Sequence, residues 1–514
     1  MIVVLHQNNR TVRVLNEKLK DLKFDITGSL TNTFFSVAKT HPNDLILWCH
    51  EAYFENFNFT NIDQIFHHPK MMVSYSVTNH KYLTERIGYV EDSPFINVKF
   101  DVSYPTWLMS SDVGGVHAQV LNTLNPKDFQ NKNLDLFLNS VAKIGMPAGL
   151  LCYSNPKLLL GDPQPEKETV PASNYQLYRF VKEHYKAGWV FFIFLAQIIY
   201  ERKLHLFSLI MSFFYLRKKF KVEAFSKMEG PSKKLNDETK TVDVIIPTLG
   251  RKVFLLDVLN DLAAQTILPK RVIIVEQNSD PNAISELDYL TSESWPFQIT
   301  HRFIHQTGAC NARNIAIKEL ESEWVFMADD DIRIPKNTIE KVLEFFETYK
   351  CKVVTLNCLR EGDITFRQPI RQWNSFGSGC SAVASEVVKT TFFNMSFEHG
   401  FGEDTDYGMQ LRNKGYDVLY NPFIQLKHLK AAVGGFRETI QRPWELSNIL
   451  PKPSPTIMLY RIKHTTKQQL QAYKVLLFIK YYRKQAVKNP IAYIQKMNMA
   501  WNSSVNWANK LDKR

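Results

Sequence analysis

The sequence predicts an α/β chain of two α/β halves joined by apolar helices. Three observations lead there. Beyond residue 241, apolar runs of strand length alternate with helical patterns, which marks a mostly parallel sheet with helices on both faces. The stretch "SVAKTHPNDLILWCHEA" (residues 36–52) lies without gaps along "IAIKELESEWVFMADDD" (315–331), so the first half reads as a copy of the second. Between the halves, residues 176–225 turn abruptly aromatic, aliphatic and basic.

With 514 residues, 45% of them hydrophobic, the chain can bury two or three cores. The expected division is a first α/β domain at 1–170, apolar helices at 176–225, a second α/β domain at 241–440, and basic amphipathic helices at 441–514. Sixty-three Lys and Arg against 51 Asp and Glu give a net charge of +12, which suits nucleic acid, anionic lipid or a phosphorylated small molecule. The basic residues cluster near apolar helices and no nucleic-acid-binding module is recognisable, so nucleic acid is not an expected partner. Six scattered cysteines without a CxxC pair suggest neither zinc nor a disulfide framework. The opening "MIVVLHQNNR" does not read as a secretory signal, and a cytoplasmic location is expected.

In the first half, the ungapped alignment sets Lys39 on Lys318 and Asp44 on Glu323. His50, Glu51 and Ala52 then fall on Asp329, Asp330 and Asp331. With gaps, "NKNLDLFLNSVAKIGMPAGLLCYSNP" follows "GEDTDYGMQLRNKGYDVLYNP" and sets Asn133 on Asp404 and Asp135 on Asp406.

The joining segment holds two apolar runs, residues 187–200 and 204–216, split by Glu201, Arg202 and Lys203. Each is shorter than the ~20 residues of a membrane-spanning helix. They read either as helices buried between domains or as helices lying in a membrane interface. Flanking Lys182, Lys186, Arg217, Lys218, Lys219 and Lys221 favour the interface with an anionic surface. The charged stretch 226–240, broken by Gly230 and Pro231, reads as a domain boundary.

In the second half, three strands end in polar residues, where a doubly wound sheet binds its ligand. The first ends at Pro247, Thr248 and Arg251, the second at Glu276, Gln277 and Asn278, and the third at Asp329, Asp330 and Asp331. Closely spaced carboxylates suit a hard cation such as Mg²⁺ or Mn²⁺, which fills its other positions with phosphate oxygens and water. Downstream, "FGEDTDYGMQLRNKG" places acids at a helix start, where the dipole favours them; they read either as a plain N-terminal charge pattern with Arg412 solvated or as the source of a base. His428 is a further candidate metal ligand, in a segment that Gly434 and Gly435 mark as mobile. The C-terminal helices are basic and aromatic, and serve equally as a packed cover or a lipid-facing anchor.

Taken in order, "VDVIIPTLGR", "VIIVEQNSD", "GACNARNIAI", "MADDD" and "GEDTDYGMQLRNKG" resemble the family 2 glycosyltransferases, inverting enzymes of the GT-A (nucleotide-diphospho-sugar transferase, Rossmann-like) fold, over about residues 241–437. The resemblance implies an inverting, metal-dependent glycosyltransferase. It would move a sugar from a nucleotide-sugar donor to a hydroxyl of a glycan or lipid-linked acceptor, in cell-surface polysaccharide or glycolipid synthesis. It implies that Pro247, Thr248, Arg251, Glu276, Asn278, Arg313, Asp329 and Asp330 hold the donor. Asp331, Asp329 and His428 would hold Mn²⁺ or Mg²⁺, and Asp404, with Glu403 beside it, would be the base. Glu276-Gln277 replaces the family's usual acidic pair. The first half then reads as a degenerate GT-A-like domain that positions acceptor or partner, and the protein as peripheral to the inner face of the cell membrane. The alternative is a non-catalytic, membrane-associated scaffold that binds glycan or nucleotide.

Overall fold

The computed structural model describes residues 1–129, 133–165, 170–219, 224–225, 228, 230, 240–363, 368–431 and 441–513. Gly434 and Gly435, and most of the charged boundary at 226–240, lie outside the described residues. The chain divides into two compact units, residues 1–231 with 466–475, and residues 232–465 with 476–514.

The first unit is built on strands β1 (Ile2–Gln7), β2 (Arg10–Leu15), β3 (Leu45–His50), β4 (Met71–Tyr75), β5 (Tyr104–Pro105), β6 (Val113–His117) and β7 (Leu151–Ser154), in the order β2-β1-β3-β6-β4-β7-β5. Its helices are α1 (Leu30–Thr40), the short α2 (Ile62–Ile65) and α3 (Ala118–Asn122), α4 (Leu134–Gly145), α5 (Asn174–His184), α6 (Gly188–Ala196) and α7 (Leu206–Ser212). Side chains at their N-caps start several of them: the Ser29 hydroxyl accepts from the Asn32 amide and the Asn133 carbonyl from the Leu136 amide, satisfying donors that a helix start leaves open. Phe34 of α1 packs on Trp48 of β3 and on Phe137 of α4 in one apolar core.

The second unit holds β8 (Val242–Leu249), β9 (Arg271–Gln277), β10 (Gln298–Ile304), β11 (Trp324–Ala328), β12 (Ile332–Arg333), β13 (Val353–Arg360), β14 (Arg371–Gln372), β15 (Cys380–Ala384) and β16 (Leu419–His428). Their order is β10-β9-β8-β11-β15-β13-β16-β12, with β14 paired to β16. The helices are α8 (Lys252–Ala263), α9 (Tyr289–Ser292), α10 (Ala309–Lys318), α11 (Thr338–Tyr349), α12 (Ser385–Val388), α13 (Glu403–Asn413), α14 (Pro455–His464) and α16 (Pro490–Leu511), while α15 (Lys467–Tyr482) belongs to the first unit up to residue 475 and to the second beyond it. The first four strands of that order are parallel, as their continuous apolar runs predict. β15 then enters antiparallel to both β11 and β13, so the sheet is mixed where a mostly parallel one was expected. A buried charge fixes the entry to β11: Asp243 accepts hydrogen bonds from the Glu321 and Ser322 amides and the Ser322 hydroxyl.

Five strands recur in the same arrangement in both units. The path β1-β3-β6-β4-β7 runs parallel, antiparallel, antiparallel, parallel, and so does β8-β11-β15-β13-β16. The units differ outside β1 and β8. There the first unit has an antiparallel hairpin partner, β2, whereas the second has two parallel strands, β9 and β10.

Candidate active site

The site forms where β8, β9 and β11 leave the second sheet. Gly250 turns the chain with φ of +64°, a conformation that favours glycine, and sends Arg251 back over the strand ends. The Thr248 hydroxyl donates to Asp330 Oδ2 at 2.7 Å, and Arg251 Nη1 donates to Asp330 Oδ1 at 2.6 Å while lying 3.3 Å from Asp331. Burial pushes the Asp330 carboxyl up to about 6, against the pull of Arg251 and Thr248. Asp330 therefore ties β8 to β11.

Its two neighbours face elsewhere. Ligand atoms of Asp329, Asp331 and His428 lie within 4.8 Å of one another. The strand register explains this: immediately after the triplet, Ile332 pairs antiparallel with His428, which brings the imidazole Nε2 to 3.3 Å from Asp331 Oδ1. Burial works to raise Asp331, but His428, Arg251 and the Ala431 amide outweigh it and hold this carboxyl below its usual range. The carboxylate in turn raises His428. Asp329 is pinned by its own amide, which donates to the Gly379 carbonyl, and by Arg313 Nη2 at 3.0 Å from Oδ1. A Cβ at Gly379 would stand 2.0 Å from Asp329 Oδ2, so only glycine allows this approach. Two carboxylates and an imidazole converging at this spacing fit a divalent cation with oxygen and nitrogen ligands.

Helix α13 brings the remaining acids. Its N-cap, Gly402, has φ of +105°, and Glu403 and Asp404 follow in the first turn, where the helix dipole favours negative charge. Asp404 Oδ1 accepts from the Ser378 amide at 3.3 Å. Burial raises the Asp404 carboxyl, with Arg313 and Ser378 pulling the other way. Burial and the neighbouring Asp404 push Glu403 up to about 7. Arg412, which a plain N-terminal charge pattern would leave in solvent, is fully buried and donates to the Trp373 carbonyl, because its position on α13 faces the core.

These groups line one cleft of about 370 Å³, within the range of small-molecule sites. Of the residues expected from sequence, Pro247, Thr248, Arg251, Arg313, Asp329, Asp330, Asp331, Glu403, Asp404 and His428 line it. Glu276 and Asn278 do not. Successive side chains of a strand point to opposite faces, and on β9 it is Gln277 that lines the cleft. Glu276 is engaged away from it by the Ser285 hydroxyl, His301 and the Glu286 amide. Asn278 makes a local turn, accepting from the Asp280 amide. Sequence reasoning placed Gln277 at the strand end without giving it a role, and missed Ser378, Gly379, Glu398 and Arg442. Glu398 accepts from the Cys310 and Asn311 amides at the start of α10, a long-range contact with no local sequence signal.

The first unit has residues at the corresponding positions of its own strand path. Asp135 is the second residue of α4, as Asp404 is of α13, and it accepts from the amide and hydroxyl of Ser111, two residues before β6, as Asp404 accepts from Ser378, two residues before β15. The gapped sequence alignment is thus out by two: Asp135, not Asn133, occupies the place of Asp404. Burial pushes Asp135 up to about 6. His50 ends β3 where Asp329 follows β11, and the buried His6, lowered to about 4 by burial, stacks edge-on to it.

The cleft lies beyond the carboxyl ends of an α/β sheet, where such sheets bind ligands, and sets three side chains that could hold a divalent cation beside a helix-borne carboxylate. Residues 243–404, within the second unit, match the family described as Glycosyl transferase family 2. The chain is 29% identical over 106 residues to an uncharacterized glycosyltransferase of Haemophilus influenzae, covering 21% of this chain and 34% of that protein. It is 25% identical over 124 residues to the minor teichoic acid biosynthesis protein GgaB of Bacillus subtilis, covering 23% of this chain and 14% of that one. The chain thus spans about a third or less of the length of these curated relatives. Among solved structures it is similar to S. aureus TarS 1-349 in complex with UDP-GlcNAc, with TM-score 0.37 and 15% identity over 53% of this chain and 83% of that one. It is also similar to the mannosyltransferase PcManGT from Pyrobaculum calidifontis in complex with GDP-Man and Mn²⁺, with TM-score 0.33 and 13% identity over 56% and 89% of the two chains.

Proposed function

We propose that residues 241–440 form the catalytic domain of an inverting glycosyltransferase that moves a sugar from a nucleotide-sugar donor to a hydroxyl of a glycan or lipid-linked acceptor. The observation that carries this reading is the meeting of Asp329, Asp331 and His428 with Asp404 in one cleft. Asp404 accepts the proton of the acceptor hydroxyl as its oxygen bonds to the anomeric carbon and the bond to the diphosphate breaks on the opposite face. Burial raises its affinity for a proton, which makes it a stronger base than an exposed carboxylate. Arg313 and Arg251 hold the negative charge of the donor and keep the aspartates in place. Mn²⁺ or Mg²⁺ on Asp329, Asp331 and His428 would supply Lewis-acid stabilisation of the departing nucleoside diphosphate. A relative named for teichoic acid biosynthesis supports a cell-surface polymer as the product.

The first unit is a degenerate copy in this reading. It keeps the five-strand path and Asp135 but has a hairpin where the second unit has β9 and β10, and histidine where it has Asp329. A non-catalytic scaffold is the weaker reading, since the second unit retains Asp329, Asp331 and Asp404 together. Transfer or donor hydrolysis measured with Mn²⁺ separates the two. The enzyme turns over a nucleotide sugar and Asp404→Asn does not; absence of turnover with any donor favours the scaffold.

A further inference from the structure

The hairpin of α6 and α7 leaves an unusual apolar surface bare. Its inward face is firmly held: Val190, Ile193 and Ala196 are buried, the Tyr178 hydroxyl donates to the Gln197 side chain at 2.7 Å, and Glu201 pairs with Arg86. Its outward face has no such cover among the described residues. Eleven exposed large apolar side chains fall between residues 191 and 216, among them Phe207 at 70%, Phe214 at 77% and Leu216 at 86% exposure. Phe191 and Phe213 touch at 5.3 Å between ring centres, so both arms present one continuous face. A soluble surface rarely leaves so many apolar groups together. None of the described helices is long and apolar enough to cross a membrane.

We propose that this face docks into the interfacial layer of a lipid bilayer carrying anionic headgroups. Charge selects that occupant. Residues 186–219 contain one acid, Glu201, already paired with Arg86, and the exposed charges beside the apolar face are Lys186, Arg202, Lys203, Arg217 and Lys219. Basic groups flanking a short, aromatic-rich apolar surface match a negatively charged interface. A second copy of this chain would set the same positive charges against one another. The proposal is independent of the sugar-transfer reading, since it uses no residue of the cleft.

Co-sedimentation of the full chain with vesicles tests it, using phosphatidylcholine alone and phosphatidylcholine with phosphatidylglycerol. The expected result is binding to the anionic vesicles that weakens with added salt. Phe207→Ser, Phe214→Ser and Leu216→Ser combined should reduce that binding roughly tenfold or more, the order expected for withdrawing three large apolar side chains. Arg202→Glu with Lys203→Glu should remove the preference for phosphatidylglycerol. All five positions are exposed, so the circular dichroism of both variants stays that of the parent, and donor turnover in vesicle-free buffer is unchanged. No binding to either vesicle, or binding that the triple variant retains in full, overturns the proposal. So does a soluble dimer that the triple variant abolishes while neither protein binds vesicles, which would assign the face to a second copy.

Discussion

Three adjacent aspartates divide between two tasks, and their partners decide which. Asp330 is committed to Thr248 and Arg251, while Asp329 and Asp331 turn toward His428. Asp330→Asn should therefore disturb the strand ends without removing the cation site, whereas Asp331→Asn should weaken Mn²⁺ binding, measured by titration, by about tenfold or more. The acids of α13 make a prediction about pH. Glu403 binds its proton up to about 7 in the folded protein against an ordinary 4.5, so between these values the folded state holds more protons than the unfolded one. Stability from this group accordingly falls as pH rises through that window. Glu403→Gln should raise the melting temperature relative to the parent above pH ~7 and lose that advantage near pH ~4.5, as scanning calorimetry would show. The triplet and the helix-borne acids were legible in the sequence because each is a local pattern. The fate of Glu276 was not, because a shift of one residue along β9 changes the face it serves.

Elements place these residues, and some of them rest on single backbone devices. Gly402 caps α13 at φ of +105°, so Gly402→Ala should cost about 1–2 kcal/mol, read from urea unfolding, and lower activity by displacing Asp404. Asp243→Ala leaves the Glu321 and Ser322 amides buried without their acceptor and should cost roughly 3 kcal/mol. The strands β8, β9 and β11 and the helices between them followed from periodicity, since continuous apolar runs bounded by turns describe a buried parallel sheet. The antiparallel entry of β15 did not follow, because pairing direction depends on how a long connection returns and not on the strand's own residues. The internal repeat was visible where it is ungapped, at α1 with β3 and α10 with β11. It slipped by two residues at α4, where apolar helical positions offer several equivalent registers and only the Ser111 contact to Asp135 selects one.

At the scale of the molecule, one strand path occurs twice, and the proposal places the chemistry in its second occurrence. The second unit keeps β9 and β10 beside β8 and a cation ligand set at its strand ends; the first has a hairpin and a histidine there. Asp135→Asn should leave donor turnover within about twofold of the parent, because sugar transfer is assigned wholly to the second unit. Equal losses in Asp135→Asn and Asp404→Asn would show that the first unit also does chemistry. The central claim is that the cleft holds a nucleotide sugar through a divalent cation and uses Asp404 as the base. It is tested most directly by thermal stabilisation and turnover with UDP-, GDP- and dTDP-sugars, with and without Mn²⁺, in the parent, Asp331→Asn and Asp404→Asn proteins. One donor should stabilise the parent only with Mn²⁺, Asp331→Asn should lose that response, and Asp404→Asn should keep it while turnover falls by about a hundredfold or more. Stabilisation independent of Mn²⁺ and Asp331, or full turnover in Asp404→Asn, would contradict the account.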